Sequence, residues 1–138
     1  MTTTPIPIED LTPGRSAQVA KTLTETDVVL FGGLTGDMNP MHMNEVAARA
    51  SRFGGRVVHG MLSASLISAA LGNQLPGPGA IYLGQTLRFT APVRIGDTVT
   101  ATVTVTSVDP EKRRVRLETV CTTQDGTVVV KGEAEVLV

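Results

Sequence analysis

The sequence is short of cysteine, of aromatic rings and of any surplus charge, and each shortage excludes something. Its 138 residues contain one cysteine, Cys121. A lone thiol makes neither an internal disulfide nor a multi-cysteine metal site, and a reducing compartment is its simplest setting. There is no tryptophan, and the aromatic rings are Phe31, Phe53, Tyr82 and Phe89. The usual stacking platforms for single-stranded nucleic acid are therefore missing. Twelve basic against thirteen acidic residues give a formal net charge of -1. No basic surface stands ready for a phosphate backbone, so nucleic acid is not an expected partner. No run approaches the ~20 apolar residues of a membrane span, so no membrane partner is expected either. Met1 to Leu11 lacks a cationic start followed by an apolar run and does not read as a secretion signal. The chain reads as one cytoplasmic domain over residues 1–138, standing alone, long enough to bury a real core.

What is present divides into helix signals followed by strand signals, the mark of an α+β architecture with an antiparallel sheet. After a polar lead, Thr2 to Thr4, which is expected to lack order, Arg15 to Leu23 reads as a strand. Thr24 to Asp27 reads as a capping box opening a helix over 25–34, with Val28, Leu30, Phe31 and Leu34 inward. A short helix is expected after Asn44, running through Ala50. Gly60 to Gly72 is apolar nearly all round, interrupted only by Ser63, Ser65 and Ser68. Such a helix is a buried one. Leu87 to Val93 reads as a strand. From Thr98 to Val108 the residues alternate with period two, valines and Ala101 against threonines, with Ser107 on the valine face. Asp109 to Lys112 is a turn, and a strand with Val115, Leu117, Thr119 and Cys121 inward follows. Asp125-Gly126 is a hairpin signal before a last strand, Thr127 to Leu137. A sheet curled around one buried helix follows from this order.

Two histidines carry the chemistry on offer, His42 and His59. Asp37 precedes His42 by five residues, across Asn39-Pro40. Proline fixes its own φ and pushes Asn39 out of helical geometry, so the stretch reads as a rigid bend that holds an aspartate and a histidine together. Asn39 can hold that turn through its side-chain amide. The plain alternative is an aspartate capping the next turn, with His42 on the surface. His59 either touches a substrate or fixes the turn into the long helix. Cys121 alternates with inward residues and reads as packing rather than as a nucleophile.

Gly36-Asp37-x-Asn39-Pro40-x-His42 resembles the hydratase-2 motif of the MaoC-like dehydratases, and within them the R-specific 2-enoyl-CoA hydratases. The likeness continues in His59-Gly60-Met61-Leu62, in Leu75 to Gly79, in Tyr82 to Gln85, in Phe89 to Val93, in Gly96-Asp97 and in Gly132 to Ala134. The resemblance implies a hot-dog fold, an antiparallel sheet wrapped around a central helix, assembled as a homodimer or dimer of dimers. It implies a catalytic pair, Asp37 and His42. It implies a backbone donor to the thioester carbonyl at Gly60, and support from Asn39, His59 and a central-helix serine at Ser68. Tyr82 and Arg88 become candidates for substrate contact, as do Arg52 and Arg56 for coenzyme A phosphates, while Asp97 reads as a turn residue. No metal and no separate cofactor is implied, since coenzyme A is part of the substrate. The implied activity is hydration of a trans-2-enoyl-CoA to the (R)-3-hydroxyacyl-CoA, and the reverse. The same fold also hosts acyl-CoA thioesterases and non-catalytic acyl-thioester-binding subunits. The Asp37/His42 bend matches the hydratase pattern, and a binding subunit would be expected to lack one of the pair.

Overall fold

The computed structural model describes residues 3–138, so Met1 and Thr2, the start of the expected polar lead, lie outside the described residues. In chain order the elements are β1 (Ser16–Thr22), α1 (Glu25–Thr35), α2 (Pro40–Met43), α3 (Glu45–Arg49), α4 (Gly60–Asn73), β2 (Ile81–Gln85), β3 (Arg88–Phe89), β4 (Thr98–Asp109), β5 (Arg114–Thr122) and β6 (Val128–Leu137). The strands form one antiparallel sheet in the order β1-β4-β5-β6-β2, with β3 also pairing β6. This sheet wraps around α4, and the arrangement is the hot-dog fold the sequence implies.

Alternation builds the wrap. Val99, Ala101, Val103 and Val105 of β4 are buried, as are Val115, Leu117, Thr119 and Cys121 of β5. Leu66, Ile67, Ala70 and Leu71 of α4 close onto them in a single core cluster. Each large aliphatic side chain so buried contributes about 1.5–3 kcal/mol before the entropy of ordering it. The outer face of the sheet is polar and carries cross-strand ion pairs, Arg114–Glu135 at 3.0 Å and Arg116–Glu133 at 3.2 Å. These exposed pairs are worth only tenths of a kcal/mol each.

Five expectations need correction. Leu30 and Leu34 are 59% and 77% exposed rather than buried. At 100° per residue Leu30 sits ~200° from Val28, and Val28 with Gly32 forms the inward stripe. The helix α4 is not buried all round, since Met61, Ser65, Ser68 and Gly72 form an exposed stripe at spacings of four, three and four. Ser107 is exposed because the β4–β5 register shifts between Val105 and Ser107. A bulge of this kind resets the alternation by one residue. The expected strand over 87–93 shrinks to Arg88–Phe89. Pro92 has no N–H to give a ladder. Finally, β2 was not foreseen as a strand, since Gly84 and the glycines and prolines before it conceal any period.

Candidate active site

The bend after α1 is built by local hydrogen bonds. Gly36 ends α1 in the left-handed region, at φ 78°, which favours glycine. The Asp37 N–H donates to Thr35 Oγ1 at 3.1 Å, and the Asn39 N–H donates to Asp37 Oδ1 at 3.3 Å. Asn39 then caps α2, its side-chain oxygen accepting from the Met41 N–H at 3.1 Å, with Pro40 in the first turn. The stretch read as a bend is therefore an Asx turn running into one helical turn. His42 lies in that turn, with Asp37 on the exposed lip before it.

The rest of the site comes from the approach to α4. His59 is 1% exposed and caps α4 by position, with no side-chain hydrogen bond to the helix. Its Nε2 lies 3.0 Å from the Asp37 carbonyl. A carbonyl only accepts, so Nε2 carries the proton and donates. The His42 ring stacks on His59 with centroids 3.9 Å apart and planes at 29°, and the Phe31 ring packs against His59 with centroids 4.8 Å apart. His42 Nδ1 lies 2.7 Å from the Val57 carbonyl. By the same reasoning Nδ1 is the donor, which leaves the His42 Nε2 lone pair free as an acceptor. The main chain of His42 is also held: Arg56 Nε donates to its carbonyl at 2.5 Å while the Arg56 guanidinium pairs with Glu25 of α1 at 2.8 Å.

Gly60 begins α4, where the first N–H groups have no intrahelical acceptor and the dipole favours negative charge. A Cβ on Gly60 would lie 2.7 Å from Phe89 Cδ1. The close approach that demands glycine here is thus to a ring of β3. Asp37, His42, Gly60 and Phe89 open on one cavity of about 590 Å³, whose inner wall is apolar, with Val58, Val93, Val129 and Val130. Asp37, His42 and His59 also place possible metal-ligand atoms within 4.8 Å of one another. Both rings spend one nitrogen on a carbonyl.

The structure brings Asp37, Asn39, His42, His59 and Gly60 together and leaves others out. Ser68 is exposed on α4 and does not line the cavity; the serine that does is Ser63, ~140° around the helix from it. Tyr82 is 41% exposed, hydrogen-bonds Gln85 and lies away from the cavity. Arg88 lines a separate groove on the outer side of the sheet with Lys131, Glu118 and Glu133. Arg56 is taken up by Glu25 and His42, whereas Arg52 lines the cavity and remains exposed. Asp97 is a turn residue as expected, accepting from the Arg94 N–H at 2.9 Å. Cys121 is fully buried, and burial pushes its thiol from an ordinary 9.0 up to about 11. Sequence reasoning missed Ser63 and Phe89 as cavity residues. The period of α4 alone carries no phase to say which of its serines faces in.

A hot-dog sheet around one helix, with an acid–imidazole pair facing a helix N-terminus across a cavity, defines the class: an acyl-thioester hydratase or dehydratase. Residues 11–130 match the MaoC like domain. The chain belongs to the MaoC-like dehydratase family. It is 58% identical over 130 residues to an (R)-specific enoyl-CoA hydratase of Rhodospirillum rubrum, covering 94% of this chain and 90% of the relative. It is 50% identical to a 3-hydroxybutyryl-CoA dehydratase of Methylorubrum extorquens, covering 94% and 82%. Among solved structures, an (R)-hydratase from A. caviae involved in PHA biosynthesis superposes with a TM-score of 0.91 at 44% identity, over 94% of this chain and 98% of that one.

Proposed function

We propose that this chain is a hydro-lyase that adds water to a trans-2-enoyl-CoA, giving the (R)-3-hydroxyacyl-CoA, and catalyses the reverse dehydration. The observation that carries the reading is the His42 Nε2 lone pair, bared by the Nδ1–H bond to Val57, in a ring with a nitrogen within 4.8 Å of an Asp37 carboxylate oxygen. Relatives with these activities in their names, at 58% and 50% identity, support it.

Two acceptors side by side suit the two O–H bonds of one water molecule. The water oxygen attacks C3 of the enoyl group and its proton passes to the Asp37/His42 pair. The C2–C3 π electrons move onto the thioester oxygen, where the N–H at Gly60 stabilises the charge. The pair then returns its proton to C2, so that H and OH have been added and the site is restored. Asp37 is the assigned base and His42 the group that orients the water and relays the proton. His59 holds the Asp37 carbonyl, and Asn39 holds the turn. Coenzyme A enters as part of the substrate, with no further cofactor invoked, and Arg52 at the cavity mouth is the cation available to its phosphates.

We read residues 1–138 as one cytoplasmic domain working as a homodimer. Exposed Ile81, Tyr82 and Leu83 on the edge strand β2 support that assembly. No helix among the described residues is long and apolar enough to cross a membrane.

The test is a spectrophotometric assay with crotonyl-CoA, following loss of the enoyl-thioester absorbance. The expected result is loss of absorbance without release of free CoA. Release of CoA with the double bond intact would overturn the reading in favour of thioester hydrolysis.

A further inference from the structure

The element that carries His42 has little of its own to hold it in place. Helix α2 is four residues long, and none of the four is buried. Only Met43 among them packs against the core, and only partly. A single helical turn is far below the length at which a helix is stable alone. Three hydrogen bonds tie the turn to residues 56 and 57. Val57 makes two with its main chain: its N–H donates to the Met41 carbonyl at 3.1 Å, and its carbonyl accepts from His42 Nδ1 at 2.7 Å. Arg56 makes the third with its side chain, Nε donating to the His42 carbonyl at 2.5 Å.

The Arg56 side chain is only 13% exposed and reaches further than this bond. Its Nη1 donates to both Glu25 carboxylate oxygens, at 2.9 and 2.8 Å. Its main-chain N–H donates to Glu45 Oε2 at 3.3 Å. One residue thus meets α1 at Glu25, α2 at His42 and α3 at Glu45. Glu25 opens α1, and Gly36 closes it immediately before Asp37. The helix that leads to Asp37 and the turn that carries His42 are therefore braced against the same side chain. A guanidinium can do this because its donors stand in a rigid planar fork. An ammonium on a flexible stem is a point charge and cannot replace it.

We propose that Arg56, braced by Glu25, is a positioning residue for the Asp37/His42 pair. It acts through His42 rather than on the substrate, and its guanidinium is already spent on a carboxylate and a carbonyl. Its bond to the His42 carbonyl keeps the turn seated against Val57, and that seating holds the Nδ1–H tautomer. When the turn drifts, the Nδ1 bond lengthens and the tautomer with its proton on Nε2 gains ground. That tautomer fills the lone pair that the hydration uses. The effect on turnover rests on the hydratase reading of this site; the effect on the ring does not.

The experiment measures kcat and KM for crotonyl-CoA in the wild type, Arg56→Lys and Glu25→Gln. Long-range 1H–15N NMR spectra, recorded at a pH above the ordinary histidine range, report which ring nitrogen carries the proton. The chain has two histidines, so the spectra hold two rings. The wild type should show His42 with its proton on Nδ1. Arg56→Lys is expected to lower kcat by about tenfold or more, since small misplacements of a catalytic group are costly, with KM within about twofold of wild type. Its His42 ring should show a share of the Nε2–H tautomer. Glu25→Gln changes an exposed side chain and keeps Arg56. It is expected to move both readouts the same way, with kcat down about threefold as a charge-assisted bond is weakened. It carries the test alone should circular dichroism show Arg56→Lys to be unfolded. A rise in KM, with kcat and the His42 signals kept, overturns the proposal and makes Arg56 a contact to coenzyme A. Wild-type His42 signals in both variants overturn it whatever the rates. A wild type that hydrates no crotonyl-CoA overturns the hydratase reading, and the NMR spectra then decide the positioning of His42 by themselves.

Discussion

At the scale of single residues, His42 matters most because its tautomer is fixed by a neighbour. The Val57 carbonyl at 2.7 Å takes the Nδ1 proton, and the reactive nitrogen is left bare. Asp37→Asn removes a base while keeping the Asx turn, and His42→Ala removes the acceptor. Each is expected to lower kcat/KM by roughly 10²–10⁴-fold, the usual worth of a positioned proton-transfer group. Circular dichroism should show an unchanged fold for both. The spacing of Asp37 and His42 was legible in the sequence. Their tautomers were not, because these depend on carbonyls that only the fold supplies. Cys121 gives a second prediction at this scale. Its folded thiol titrates near 11, against an ordinary 9.0, because burial disfavours the thiolate. The raised value means that stability is full below the unfolded value and is lost as pH rises from about 9 toward about 11. The loss is on the order of 3 kcal/mol over that window. Urea titrations at pH 8 and pH 10.5 should show a larger drop for the wild type than for Cys121→Ala.

At the scale of elements, strands proved more legible than helices. The period-two runs of β4 and β5 state directly which residues face in, and Val99 to Val105 and Val115 to Cys121 do so. The helix α1 was found from its capping box, with both reciprocal bonds between Thr24 and Asp27 in place. Its inward face was misjudged because an apolar helix, with Leu30 and Leu34 outward, does not announce its phase. Strand β2 was hidden by its glycine, yet its connection to β3 passes so close to β6 that Gly132 has no room for a side chain. A Cβ there would lie 1.8 Å from the Thr86 carbonyl oxygen, which is backbone and held by bonds between Thr86 and Glu133. Gly132→Ala must push the two segments apart and is expected to destabilise the protein by on the order of 3 kcal/mol or more in urea denaturation. At the mouth of α4 the obstruction is only a side chain. Gly60→Ala is therefore expected to be partly rescued by Phe89→Ala in a double-mutant cycle, with a coupling of about 1 kcal/mol or more.

At the scale of the whole molecule, the fold joins two halves that the sequence keeps apart. The bend at Asp37 to His42 comes from the N-terminal helices, and Gly60 opens the helix that the sheet encloses. His59 ties them, stacking on His42 and holding the Asp37 carbonyl. Family motifs made both halves visible in the sequence. They did not reveal the cavity wall, whose valines come from the α3–α4 connection, the β3–β4 connection and β6, or the serine that faces it. The exposed apolar edge at Ile81, Tyr82 and Leu83 belongs to the same scale. Light scattering on the purified chain should give twice the 14.5 kDa chain mass or four times it, and Leu83→Lys should shift the distribution toward monomer.

The most direct measurement is chiral analysis of the product formed from crotonyl-CoA and water by the purified protein. The predicted product is (R)-3-hydroxybutyryl-CoA, with its thioester intact and its formation lost in Asp37→Asn. An (S) product, or crotonate and free CoA, would contradict the assignment of this site.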